Sequence, residues 1–124
     1  MNPEKTIADY LKTVPELVVL IADRVYWPQS PSTIAQAHLR VNEVDGGHLH
    51  NLPVSFPIVQ VSAFSKNNLE ARALKDIVVE KLKDARLVVD GAFVVSTLQA
   101  DPGEFQAETW WNAPATFALK HKEA

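Results

Sequence analysis

Between Val59 and Ser65 apolar and polar side chains alternate, Val59, Val61 and Ala63 against Gln60 and Ser62. A period of two is that of a half-buried strand. After Lys66-Asn67-Asn68 the period changes. Ala71, Leu74, Ile77, Val78, Leu82 and Ala85 recur at helical spacing, which predicts an amphipathic helix from Leu69 to about Ala85. Asn67, with Glu70 three residues on, has the spacing of a capping box, and Ser65 is the competing cap.

The same pattern divides the rest of the chain. Asn2 and Pro3 suit a helix start, followed by an apolar stripe of Ile7, Tyr10 and Leu11. Pro15 interrupts it, and Glu16 to Ile21 fits either a second short helix or a buried extended run. Trp27-Pro28 and Gln29 to Thr33 make an irregular connection. Ala37 to Val44 alternates as a strand and meets Asp45-Gly46-Gly47, a strong turn signal. Val54 to Ser65 is a second strand interrupted by Pro57, which marks its start, a bulge or an edge. Ala92 to Gln99 is β-branched and aromatic, Asp101-Pro102-Gly103 is a turn, and Phe105 to Lys120 returns as a strand. Asn112 and Pro114 break this last segment, so its outer half is expected to be a flap. The predicted fold is one α+β domain over residues 1–124. It has a single antiparallel, mostly four-stranded sheet covered on one face by one main amphipathic helix, plus a short N-terminal helix.

Composition narrows the function. The chain has 124 residues, consistent with one domain. It has no cysteine, which excludes a disulfide framework, a thiolate zinc site and a cysteine nucleophile. A net charge of −3 argues against a dedicated nucleic-acid binder. No apolar run approaches the ~20 residues of a membrane span, and no signal-peptide pattern opens the chain. A soluble, intracellular protein is the expectation.

Candidate chemistry is sparse. His48 and His50, with Asp45 nearby, form the one metal-like cluster, since alternate strand positions share a side. The plainer reading is a polar loop after a Gly-Gly turn, and the cluster lacks a further ligand. Ser55, Ser62 and Ser96 have no nucleophile elbow or nearby histidine. Asp101, Glu104 and Glu108 cluster at a turn, where acids are commonly solvated. The aromatics are more suggestive. Trp27 follows Tyr26 in the irregular stretch, and adjacent Trp110 and Trp111 on an extended segment cannot face one core together. Either both fold over one small cluster from opposite sides, or one meets solvent or another chain; Trp and Tyr are enriched at protein interfaces.

Asp23-Arg24-Val25-Tyr26, the strand Val59 to Phe64, and Glu70-Ala-Arg-Ala-Leu74 opening the helix stand in an order that resembles the tail-completion or tail-terminator proteins of long-tailed bacteriophages. The resemblance covers nearly the whole chain. It departs in the segment after Pro31, where such proteins bring a proline directly into the first strand. It implies a homohexameric ring that caps the head-proximal end of the tail tube, stops tube polymerisation and receives head-closure proteins. The partners implied are further copies of the chain, the tail tube protein and a neck protein. DNA would pass through without specific binding, no cofactor or membrane is implied, and the location is the virion, with assembly in the host cytoplasm. A ring of one subunit type needs two different patches per subunit. The interface candidates are Arg24, Tyr26, Trp27, Glu80, Asp84, Trp110 and Trp111. Arg24 is also expected to anchor the irregular loop through a carboxylate or carbonyls near the sheet. Asp101, Glu104 and Glu108 are candidates for a negative lumen, where like charge discourages DNA from sticking. The competing classes are a small metal-dependent enzyme using His48, His50 and Asp45, and a monomeric or dimeric adaptor module.

Overall fold

A computed structural model describes residues 2–31, 33–48, 55–89, 92–101, 103–107 and 109–123. The chain opens with α1 (Pro3–Leu11), whose cap is Asn2: its side-chain oxygen accepts from the Lys5 amide at 3.2 Å. Pro3 tolerates the first turn because that amide has no intrahelical partner. Pro15 does the same for α2 (Pro15–Ile21), so the run after it is a helix rather than a strand. Two edge residues form β1 (Val25–Tyr26), and the long strands β2 (His38–His48) and β3 (Ser55–Ser65) follow.

Then comes α3 (Asn68–Leu82), capped by Asn67, whose oxygen accepts from the amides of Leu69 and Glu70 at 2.8 and 3.2 Å. The Ser65 hydroxyl, the rival cap, accepts from the Asn67 amide and donates to Glu70 Oε1 at 2.9 Å. Both residues therefore fasten the same helix start. The remaining strands are β4 (Ala85–Val89), β5 (Ala92–Ala100), β6 (Phe105–Ala107) and β7 (Trp110–Glu123).

These strands form one seven-stranded sheet in the order β1-β2-β3-β7-β5-β4, with β6 pairing β7. β1 runs parallel to β2 and every other pair is antiparallel. The helices share one core with the sheet. Ile7, Leu11, Leu17, Ile21, Leu74, Val78 and Leu82 meet Leu39, Val41, Val59, Val61, Ala115, Phe117 and Leu119, all nearly inaccessible. Each large apolar side chain so buried contributes about 1.5–3 kcal/mol of transfer free energy. Register places His38, Arg40 and Asn42 of β2 beside Phe64, Ser62 and Gln60 of β3, and these beside Asn112, Pro114 and Thr116 of β7. That row points away from the helices.

The expected single, mostly four-stranded antiparallel sheet under one main helix is incorrect. The sheet is mixed and larger, and three helices are present among the described residues. The three additional strands, β1, β4 and β6, are short. β1 is hidden in the irregular Asp23–Pro28 stretch. β4 is masked because Ala85 prolongs the helical stripe; the helix stops first, at Leu82, and Asp84 then takes a left-handed φ of 55° that aspartate tolerates. The Asp45-Gly46-Gly47 turn signal is also overridden. β2 runs through it to His48 with a register shift between Glu43 and Asp45, and Gly46 lies opposite Pro57, where glycine marks an irregularity rather than a turn.

Pro114 does not break β7. It pairs with Ser62 of β3, while the strands on the other side stop short of it: β6 pairs up to Asn112 and β5 resumes at Thr116. The missing amide falls where the ladder is already interrupted, which is how a central strand accommodates proline.

Candidate functional site

Arg24 sits at the corner between α2 and β1. Its Nε donates to the Ala37 carbonyl at 2.8 Å and its Nη2 to the Leu20 carbonyl at 3.4 Å. Its own carbonyl accepts from the Leu39 amide at 2.9 Å. One side chain thus ties the end of α2 to the entrance of β2, as expected of a loop anchor, and the partners are carbonyls rather than a carboxylate. Beside it a cleft of about 490 Å³ is lined by Arg24, Tyr26, Ile34 and Gln36.

His38 is one polar position of the alternating Ala37–Val44 strand and carries no functional signal in the sequence by itself. His38 is 3% exposed and is the hub of an aromatic cluster. Phe64 stacks on it at 5.0 Å with planes 13° apart, while Trp110 and Tyr26 meet it edge-on at 5.4 and 5.7 Å. Its Nδ1 lies 2.9 Å from the Gln36 carbonyl and donates to it in the neutral ring. Burial holds its pKa below the usual 6.5, with the nearby Arg40 and Arg24 charges acting in the same direction against the Gln36 hydrogen bond. Cations cover the rim: the Arg40 guanidinium lies 4.8 Å from the Phe64 ring and Lys66 Nζ 5.4 Å from the Trp110 ring, both within cation–π range. The signal available was positional: His38, Phe64 and Trp110 share a sheet face on β2, β3 and β7.

The two adjacent tryptophans separate as strand geometry requires. Trp110 joins the His38 cluster, and Trp111 packs against the core on the helix side, as Trp27 does. Glu80 and Asp84 are exposed at the C-terminal end of α3. The acidic turn folds back on that helix. Asp101 pairs with Lys75 at 2.7 Å and Glu104 with Arg72 at 2.7 Å, so two of the three lumen candidates are engaged with α3. Glu108 lies outside the described residues, as does His50 of the metal candidate. Asp45 and His48 lie on β2. Among the described residues no three metal-ligating side chains converge.

One contiguous apolar run lies open instead. On α2, consecutive Val18, Val19 and Leu20 are 45%, 83% and 47% exposed, while Leu17 and Ile21 are buried. Leu69 at the start of α3, Val44 on β2, Val88 on β4 and Phe105 on β6 are exposed singly, and Phe105, opposite Asn112, lies on the sheet face away from α3. The α2 run was not legible as exposed, because apolar residues in short elements look alike whether they face a core or solvent.

No family model matches the chain, and no curated protein matches it. Its fold does match solved structures. One match is a chain of the virion of a native gene transfer agent (GTA) particle, with a TM-score of 0.78 and 14% sequence identity, covering 95% of this chain and 92% of that chain. At that identity the likeness is one of fold.

Proposed function

We propose that this chain is a structural protein of a phage-like virion. In this reading it assembles into a homohexameric ring, caps the head-proximal end of a tail tube, ends tube polymerisation and presents a surface to head-closure proteins, with DNA passing through. The observation that supports it most is the end-to-end likeness in fold to a virion chain, together with the order of sequence motifs described above. Fold alone does not fix function, so the surfaces matter too. A one-component ring needs two different contact patches, and among the described residues large apolar side chains are exposed on α2, β2, α3, β4 and β6. Arg24 serves here by shaping the Asp23–Pro28 corner, and Tyr26, Trp27, Trp110 and Trp111 by stiffening the margin around it. Glu80 and Asp84 are the exposed charges of the helix end. Asp101 and Glu104 act first as pins for their turn, with the negative charge left to a lumen reduced by Lys75 and Arg72.

Multi-angle light scattering at micromolar concentration, alone and with tail-tube protein, tests the reading. A discrete ring, or capture onto tube ends with arrest of tube growth, is expected. A chain that stays monomeric in both settings would overturn it.

A further inference from the structure

The corner held by Arg24 carries a charge without a counter-charge. A guanidinium has five N–H groups, and Arg24 spends two, on the Ala37 and Leu20 carbonyls. Both acceptors are neutral, and among the described residues no carboxylate pairs with Arg24. Arg40, on the neighbouring strand, is alike: its Nε donates to Asn42 Oδ1 at 2.9 Å, and no described acid pairs with it. Both charges act on His38, so the corner is positive. Partly buried guanidiniums are the usual partners of carboxylates and phosphates.

The cleft beside Arg24, about 490 Å³, falls within the ~300–1,000 Å³ range of ligand pockets. Its walls differ in chemistry. Pro31 and Ile34 form an apolar wall, held as a turn by the Ile34 amide donating to the Pro31 carbonyl at 3.2 Å. Tyr26, Thr33 and Gln36 add polar groups, and the Tyr26 hydroxyl has no partner among the described residues. No lining residue is acidic; Asp23, the acid next to Arg24 in sequence, is exposed and does not line the cleft. A phosphate backbone is held by basic stripes, whereas this chain has a net charge of −3. A concave site with one guanidinium and an apolar wall suits a carboxylate next to an apolar side chain.

We infer that this cleft binds an extended peptide segment, which presents an Asp or Glu carboxylate to Arg24 and lays a neighbouring apolar side chain on Pro31 and Ile34. The site stands on the cleft itself. Assigning the segment to another protein of the particle rests on the virion reading above.

Isoleucine-methyl NMR tests this, because it stays readable in a ring, and Ile34 lines the cleft while Ile7 and Ile21 lie in the core. Acetyl-Leu-Asp-Leu-amide is expected to shift the Ile34 methyl saturably and leave Ile7 and Ile21 unmoved, with a Kd on the order of 1 mM for so short a probe. Acetyl-Leu-Asn-Leu-amide, of the same shape without the charge, is expected to bind about tenfold more weakly. Thr33→Glu, at an exposed lining position, places a competing carboxylate in the cleft and is expected to abolish the response, whereas Thr33→Gln keeps it. Should Thr33→Glu fail to fold by circular dichroism, Ala35→Glu, also exposed on the lining, replaces it. No saturable Ile34 shift, equal binding of the two peptides, or binding that survives the introduced glutamate would overturn the inference. So would tighter binding of inorganic phosphate or a short DNA duplex than of the acidic peptide. A ring-forming chain without the Ile34 response loses this site and keeps the ring reading; a monomeric chain with the response keeps the site and loses the ring.

Discussion

The pair between Lys75 and Asp101 makes a directional prediction. Lys75 lies on α3 with its side chain 7% exposed, and Asp101, which begins the turn after β5, is 38% exposed. Removing the acid strands a nearly buried ammonium. Removing the base leaves a carboxylate that water can reach. Losing one partner of a fully buried pair costs about 3–5 kcal/mol, and a hydrogen bond to a charged group is worth about 1.5–3 kcal/mol. Because Asp101 is partly solvated, Asp101→Ala is expected to cost roughly 1–3 kcal/mol. At ~4 °C per kcal/mol for a domain of this size, that lowers Tm by roughly 4–12 °C. Lys75→Met keeps the packing of the aliphatic stem and removes the charge, so it is expected to cost under ~1 kcal/mol. The double variant is expected to resemble Lys75→Met alone, since the penalty of the stranded charge is gone. Urea unfolding of the four proteins, run where the chain is monomeric, checks the series. Equal destabilisation by both single variants, or none from Asp101→Ala, would refute this account of the pair.

Other perturbations follow from the same geometry. Asn67→Ala removes an acceptor bonded to two amides at the start of α3 and is expected to cost about 1 kcal/mol in urea unfolding. Arg24→Ala frees the carbonyls of Leu20 and Ala37; a loss of about 1–3 kcal/mol is expected, and no change in either stability or assembly would dismiss Arg24 as an anchor. His38 is held neutral in the folded state, its pKa below the unfolded 6.5. The unfolded chain therefore binds more protons than the folded one just below that pH, so stability is full above about 6.5 and falls as pH drops toward the folded pKa. His38→Gln is expected to flatten the decline in urea midpoint between about pH 7 and 5.

Much of the frame was readable because strong periods are imposed by burial. Val59 to Ser65 and Leu74 to Leu82 must show one face to a core, and they do so at periods of two and 3.6. What sequence hid was set by partners far along the chain. Pro114 resembles a breaker until its neighbours are known to stop at Asn112 and Thr116. Asp45-Gly46-Gly47 resembles a hairpin turn until Gly46 is found opposite Pro57. Ala85 continues a helical stripe because apolar spacing is indifferent to the dihedral at Asp84. The aromatic site was half legible. Trp110 and Tyr26 stood out by type, but His38 gains its meaning from Phe64, which follows it by a long hairpin.

The position of β7 has a consequence for how the molecule comes together. It follows every other strand in sequence, yet it lies between β3 and β5 in the sheet. A chain interrupted before Trp110 would hold β1, β2 and β3 as one ribbon and β4 and β5 as another, with bare edges facing each other. Such edges template unwanted pairing, and closing them requires contacts across most of the chain, which slows folding. Completion of this sheet is therefore a late, all-at-once event. Because α3 rests on both halves, the sheet beneath it is whole only after β7 has inserted, so an unfinished subunit cannot seat its main helix.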